Sequence, residues 1–182
     1  REKVLDKEGE QVRDENGRTL FMEKDIPPYE SEVKGYSHEE QLDLAEDMLL
    51  RSGAHIMNDV ANGAFYSPSR DEIHLPPKEA FPELAGYYST ALHELGHWTG
   101  HPSRLNRDMG NGFGSEGYAK AELRAEMASV YLSMDLGIPF NPTNHAAYTQ
   151  SWLRVLKNDK MAFHKAAKDA QDIADYVKDL VK

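Results

Sequence analysis

The chain of 182 residues contains no cysteine. This absence excludes disulfide scaffolds, thiolate zinc sites and cysteine nucleophiles, so any metal must be bound by His, Asp or Glu. No uninterrupted apolar stretch has the length of a membrane span. The chain also lacks a basic segment followed by an apolar run, which is the pattern typical of a signal peptide. We therefore expect no membrane partner and a cytoplasmic location.

Basic residues are also few, since Lys and Arg total 21 against 31 Asp and Glu, a formal net charge of −10. A surface this acidic repels phosphate backbones unless basic residues are segregated on one face, and no basic run is present. Binding of nucleic acid by this chain alone is therefore disfavoured. Because the first residue is Arg1 rather than Met, we expect a piece of a longer polypeptide.

The first 37 residues are polar, and two interpretations stay open for them: a short hairpin around Asn16-Gly17, or a linker from an upstream domain. Ser37 followed by Glu40 forms a capping box, which predicts a helix ending near Gly53. Short runs over residues 54–56, 64–67 and 72–75 predict strands, the last of them a possible sheet edge for an extended peptide. We predict an arm over residues 1–37 and one domain over residues 38–182.

The rest of the chain is predicted to be mainly helical. A helix runs to Thr99, where Gly100 is well placed to end it. A glycine-rich loop precedes a second helix over residues 118–136, and two more helices follow. The predicted apolar side of the 118–136 helix consists of Leu123, Met127, Val130, Tyr131 and Met134. The order of elements predicts an α+β fold.

The strongest motif is His93-Glu94-Leu95-Gly96-His97. Histidines four residues apart on a helix lie one turn apart on the same side, so both imidazoles can reach one metal ion. Glu94 can act as the general base toward a water molecule that zinc activates. The motif predicts a zinc site and hydrolysis of a peptide bond.

Catalytic zinc usually takes three protein ligands. Glu122 is the favoured third ligand, because it lies in the first turns of the next helix, with Glu126 one turn further on as a carboxylate that orients a ligating His. Glu116 and His101 are the alternative ligands. A solvated acidic helix face is the non-functional interpretation of Glu122 and Glu126.

The string from His93 through Arg107 resembles the zincin-type metallopeptidase domain of ArdC-like antirestriction proteins, and the likeness covers roughly residues 50–180. Such proteins are carried by plasmids and other mobile elements, and related domains occur in plasmid primases and polyvalent proteins. The resemblance implies a minimal zincin-like fold, gluzincin-like, with a small β-sheet packed on the active-site helix and further helices towards the C-terminus. It also implies an antirestriction setting, with single-stranded DNA bound only through an N-terminal domain that nothing here matches.

His145 and Tyr148 are further candidates, as donors to the oxyanion of a tetrahedral intermediate; a helix cap and a core aromatic are the alternative roles. The favoured function is a zinc metallopeptidase-like domain whose protein or peptide substrate is unknown. One alternative is a non-catalytic binding module with a structural metal site that contacts DNA or a restriction enzyme. Another is metal-assisted hydrolysis of a non-peptide bond.

Overall fold

The structure is a computed structural model, which describes residues 2–3, 21–22, 37–110, 112, 115–139, 152–153 and 155–182. The chain forms two compact units, Arg1–Glu30 and Ser31–Lys182. In the first unit, strand β1 (Glu2–Lys3) pairs antiparallel with strand β2 (Phe21–Met22). The arm over residues 1–37 and the domain over residues 38–182 stay predictions.

The second unit begins with helix α1 (His38–Arg51), whose predicted capping box is confirmed. The Ser37 hydroxyl accepts from the backbone N–H of Glu40 at 3.3 Å, and the Glu40 carboxylate accepts from the backbone N–H of Ser37 at 2.6 Å. Two otherwise unsatisfied helix donors are paired in this way. Ala45, Met48 and Leu49 bury the inner face of the helix in the main core.

A three-stranded sheet follows, built from β3 (His55–Met57), β4 (Phe65–Ser67) and β5 (Glu72–His74) in the order β3-β5-β4. Strand β5 pairs parallel with β3 and antiparallel with β4. The expectation that residues 72–75 form a sheet edge is therefore wrong. The short β4–β5 connection places β4 on one side of β5, and β3 occupies the other. Ile73 is fully buried, as a central strand requires.

Three long helices complete the described unit: α2 (Leu84–Trp98), α3 (Glu116–Leu136) and α4 (Ala162–Leu180). Helix α2 packs on strands β4 and β5 and also on α3, which in turn packs on α4. In α2, residues Ala91, Leu92 and Leu95 are fully buried. The predicted α+β plan, a small sheet on a central helix with further helices after it, is confirmed. Across the described residues, no helix combines the length and apolar character needed to cross a membrane.

The buried side of α3 differs from the predicted apolar side. Met134 is 47% exposed, whereas Glu122 and Glu126 are 4% and 5% exposed. Because α3 lies between α2 and α4, small and polar residues rather than large apolar ones form much of its packed surface. The buried α3 residues include Ala125, Ala128, Ser129 and Ser133.

Close packing of α2 on α3 depends on Gly96. A Cβ atom at this position would lie 3.3 Å from Ala125 Cα, 3.4 Å from Ala125 O and 3.5 Å from Ala125 Cβ. These neighbours belong to the backbone and to a short side chain, so they cannot move aside without shifting a helix. The two helices can therefore approach closely enough for carboxylates of α3 to meet histidines of α2.

We expect Gly96→Ala to lower the free energy of unfolding by about 1–2 kcal/mol, since overpacking outweighs the helix propensity gained. Gly86→Ala in the same helix is the matched control, because its Cβ would meet only Phe81 Cδ1 at 3.6 Å. The control should be neutral or slightly stabilising. Urea denaturation of both variants measures the difference, and equal stability would contradict a tight contact at Gly96.

Candidate metal centre

Three side chains from α2 and α3 direct their donor atoms at one point. His93 Nε2 lies 3.2 Å from His97 Nε2 and 3.3 Å from Glu122 Oε2. His97 Nε2 lies 3.3 Å from Glu122 Oε1. Within the described part of the chain, these two histidines and one glutamate are close enough together to hold a metal ion.

The donor set fits a divalent metal. In a tetrahedral zinc centre with bonds of about 2.0–2.1 Å, neighbouring donor atoms lie roughly 3.3 Å apart, which is close to the three distances above. Two imidazoles with one carboxylate are also a ligand set that catalytic zinc sites use. Glu94, Glu122 and Glu126 are all buried, so positive charge at this point offsets carboxylates that have lost most of their water.

Glu126 contacts the His93 ring on the edge that faces away from the other donor atoms. Its Oε2 lies 3.2 Å from His93 Nδ1, on the opposite edge of the ring from the converging Nε2. A proton on Nδ1 that is donated to this carboxylate leaves the Nε2 lone pair for a metal. A neutral His93 with its proton on Nδ1 is the tautomer that a metal ligand needs.

The electrostatics of the site favour positive charge on the His93 imidazole. Burial disfavours the imidazolium, yet hydrogen bonds to Glu122 and Glu126 outweigh burial and raise the pKa of His93 to about 10. Burial likewise opposes ionisation of Glu122, but hydrogen bonds from His93 and His97 hold its pKa well below the ordinary value. The carboxylates stabilise a cation here, whether a proton or a metal ion.

The three converging residues open into a cavity of about 210 Å³, which Glu94 also lines. The other described residues of its wall are Ala64, Phe65, Tyr66, Pro68, Met109 and Tyr118. No Lys or Arg is among these described wall residues. The same cavity thus contains a buried carboxylate, a set of donor atoms suited to a metal ion and a partly apolar wall.

A network around Arg104 fixes the wall that β4 supplies. Arg104 donates to both carboxylate oxygens of Asp71 and to the backbone carbonyl of Trp98, the latter at 2.7 Å. The Tyr66 hydroxyl donates to Asp71 at 2.7 Å, and the Arg104 guanidinium stacks 3.8 Å above the centre of the Trp98 ring. The β4–β5 hairpin is thereby tied to the C-terminal end of the helix that carries the histidines.

Residues 43–169 match the family described as zincin-like metallopeptidase. This range contains the converging side chains and most of the second unit. The chain belongs to the zincin-like metallopeptidase family. The fold and the family inferred from the sequence are therefore confirmed.

Curated relatives of this zincin-like chain include two DNA primases TraC of Escherichia coli. One is 53% identical over 152 residues, and the match covers 84% of this chain and 14% of the relative. The other is 52% identical over 136 residues, and the match covers 75% of this chain and 9% of the relative. Protein y4eC of Sinorhizobium fredii is 34% identical over 177 residues, and the match covers 93% of this chain and 58% of that protein. The zincin-like chain thus spans only a small part of the TraC proteins.

Solved structures of the antirestriction protein ArdC from the R388 plasmid are also similar. The Mn(II)-bound structure has a TM-score of 0.68 and 41% identity, covering 76% of this chain and 52% of that one. The metal-free structure gives a TM-score of 0.67 at the same identity, covering 76% and 50%. The shared fold accounts for about half of ArdC.

The structure of the zincin-like chain places the alternative ligands away from the converging group. Glu116 is paired with Lys120 at 2.7 Å, and its side chain is 47% exposed. His101 Nδ1 instead lies 2.8 Å from the Ser103 hydroxyl, in the turn beyond α2. The predicted oxyanion donors His145 and Tyr148 lie outside the described residues.

Tyr118 lines the cavity and was missed from the sequence. It precedes Glu122 by four residues, the spacing of neighbours on one helix face. That spacing could have singled it out once Glu122 was chosen.

Proposed function

We propose that this chain is a zinc-dependent metallopeptidase domain that hydrolyses a peptide bond. His93, His97 and Glu122 hold the ion, Glu126 orients His93, and Glu94 is the general base. The observation that carries the proposal is the convergence of two imidazole nitrogens and a carboxylate within 3.2–3.3 Å of one another. This convergence occurs in a cavity that Glu94 shares.

Zinc is the favoured ion, although a related ArdC structure is described as Mn(II)-bound. Imidazole ligands suit zinc, and for a given site with nitrogen and oxygen donors the affinity for Zn²⁺ exceeds that for Mn²⁺. Two of the three donors here are imidazole nitrogens. We therefore expect zinc to displace manganese when both are offered at equal concentration.

The chemistry divides between the metal and Glu94. A divalent ion held by His93, His97 and Glu122 would supply a Lewis acid that lowers the pKa of a water molecule to about 7. The Glu94 carboxylate would accept a proton from the attacking water as the water oxygen adds to the carbonyl carbon of the peptide. Glu94 then gives the proton to the leaving nitrogen as the C–N bond breaks, so one carboxylate acts as base and then as acid.

The biological setting is inferred from the relatives. They are named as a DNA primase and as an antirestriction protein of a plasmid. We infer that the domain acts in an antirestriction or mobile-element protein, where a separate domain binds single-stranded DNA. A non-catalytic module that contacts DNA or a restriction enzyme through a structural metal site is the second candidate, favoured by the DNA-related names of these relatives.

A peptide-library assay tests the proposal. The purified chain is stripped with a chelator, reloaded with zinc and incubated with a diverse peptide mixture, and new termini are identified by mass spectrometry. Cleavage that disappears on chelation and returns with zinc would support the peptidase function. A chain that binds one zinc ion yet cleaves no peptide would overturn it in favour of the binding module.

A further inference from the structure

Phe65 is an exposed aromatic residue in the wall of the cavity that contains His93, Glu94 and His97. It is 45% exposed, although it lies in strand β4. Of the large apolar side chains that are exposed in the described part of the chain, Phe65 is the one in this wall. Ligand cavities are typically lined by aromatic and apolar side chains around a few polar groups. The Phe65 ring is therefore placed to contact a molecule bound at the proposed metal.

The Phe65 ring is supported from one side by His74. The two residues lie directly opposite each other in the antiparallel pair of β4 and β5, and their rings stack with centroids 4.6 Å apart and planes 16° from parallel. His74 is 4% exposed, and its Nδ1 lies 2.9 Å and 3.1 Å from the two carboxylate oxygens of Asp59. These contacts restrain the imidazole, and the imidazole restrains Phe65. A ring held in place before a ligand binds loses little freedom on binding, so the contact contributes more to affinity.

The rest of the wall suits an uncharged aromatic group. Ala64, Pro68 and Met109 add apolar surface to that of Phe65, and a Met thioether contacts aromatic rings favourably. The cavity of about 210 Å³ is large enough for a phenyl ring, because an apolar cavity of about 150 Å³ can hold benzene. An acidic side chain would find no Lys or Arg among the described wall residues and would lie near the Glu94 carboxylate. The wall thus disfavours acidic side chains of a substrate.

We propose that the domain cleaves peptides next to an aromatic side chain, and that Phe65 determines this specificity by packing against that side chain. The proposal rests on the proposed peptidase function and adds the class of substrate to it. Aromatic pairs gain more than their buried area alone provides, in offset-stacked or edge-to-face arrangements with centroids about 4.5–7 Å apart. The exposed surface of a ring that is fixed on one face by His74 can accept such a partner.

Hydroxamates, which bind zinc through two oxygen atoms, test the proposal without a known substrate. The zinc-loaded chain is titrated with acetohydroxamate, phenylpropanohydroxamate and the monohydroxamate of succinic acid, which differ in the group attached to the zinc-binding end. The wild type should bind the phenyl compound about 10- to 100-fold more tightly than acetohydroxamate, because the ring buries apolar surface against Phe65. The succinic acid compound should bind no more tightly than acetohydroxamate.

Variants of two exposed phenylalanines locate the preference. Phe65→Ala should bind zinc and acetohydroxamate as the wild type does but lose most of the preference for the phenyl compound. Phe65→Trp, which restores a flat ring, should keep that preference. Phe163→Ala is the matched control, because Phe163 is 49% exposed on α4 and is not among the described wall residues. Its preference should equal that of the wild type.

Peptide cleavage gives a second readout. For peptides with an aromatic residue next to the scissile bond, Phe65→Ala should lower kcat/KM by about 10- to 100-fold, and for peptides with a small residue there it should change kcat/KM little. Equal affinity of the wild type for the phenyl compound and acetohydroxamate would overturn the proposal, as would a Phe65→Ala variant that keeps the preference. Hydroxamate binding requires no hydrolysis. A zinc-loaded chain that keeps the preference but cleaves no peptide would therefore refute the peptidase function while supporting Phe65 as the surface that binds an aromatic group.

Discussion

A Glu122→Ala variant is expected to bind zinc roughly 10³-fold more weakly than the wild type. The estimate follows from a total binding free energy of about 10–16 kcal/mol for a structural zinc site, divided among its protein ligands. Glu122 supplies one oxygen towards His93 and the other towards His97, each at 3.3 Å. Its removal leaves two imidazoles 3.2 Å apart with no ligating anion between them.

Variants of three other side chains give this measurement its contrast. Glu126→Ala should weaken zinc binding by only about 10- to 100-fold, because Glu126 is proposed to orient a ligand without being one. Glu116→Ala and His101→Ala should retain full affinity, since Glu116 is paired with Lys120 and His101 with Ser103. Competition with a chromogenic chelator measures all four affinities. Zinc retained in Glu122→Ala but lost in the Glu116 or His101 variant would assign the third ligand to that residue instead.

Thermal unfolding provides a second readout of the same site. A ligand that binds only the folded state stabilises it by about 4 kcal/mol at a free concentration one thousand times its Kd. Zinc should therefore raise the Tm of the wild type strongly, and at the same zinc concentration it should barely change the Tm of Glu122→Ala. Glu116→Ala should respond as the wild type does, because its side chain faces solvent.

The features that the sequence predicted well are local ones. The capping box of Ser37 and Glu40 involves residues three apart, and it starts α1 as expected. The spacing of His93 and His97 is likewise a property of one helix, and the two rings do face one point. Such patterns can be predicted because backbone geometry alone brings the residues together.

The buried face of α3 shows why other features could not be predicted. Hydrophobic periodicity pointed to Met134, yet the side against α2 carries Glu122 and Glu126, whose burial is offset by His93. A carboxylate pair gives no apolar signal, so the pattern cannot distinguish a metal-binding face from a solvated one. Only the approach of a second helix, made possible at Gly96, decides between them.

The cavity wall depends on contacts between distant parts of the chain. Asp71 and Arg104 are 33 residues apart in sequence, and their ion pair ties the β4–β5 hairpin to the end of α2. Short strands with similar composition do not reveal their order in a sheet, so the central place of β5 could not be foreseen. Tyr118 was overlooked for a related reason, because its place in the wall follows from the cavity rather than from a motif.

Glu94→Gln is expected to lower kcat by about 10²- to 10⁴-fold on any peptide that the zinc-loaded wild type cleaves. Gln has nearly the same shape as Glu, but its amide cannot accept a proton from the attacking water. Glu94 follows His93 directly in α2, is 7% exposed and lines the cavity beside the proposed ligands. Because the substitution spares all three ligands, the zinc affinity should stay within a few-fold of that of the wild type.

The matched control for this loss is Glu83→Gln at the exposed start of the same helix, where the side chain makes no capping hydrogen bond. Both variants remove one carboxylate and add one amide to the chain, so a difference between them reports on position rather than on net charge. Initial rates with a fluorogenic version of a cleaved peptide, measured at saturating zinc, should fall only for Glu94→Gln. If Glu94→Gln kept its rate with zinc bound, proton transfer would have to be assigned to another group, and Glu94 would be a buried carboxylate that only adds negative charge near the histidines.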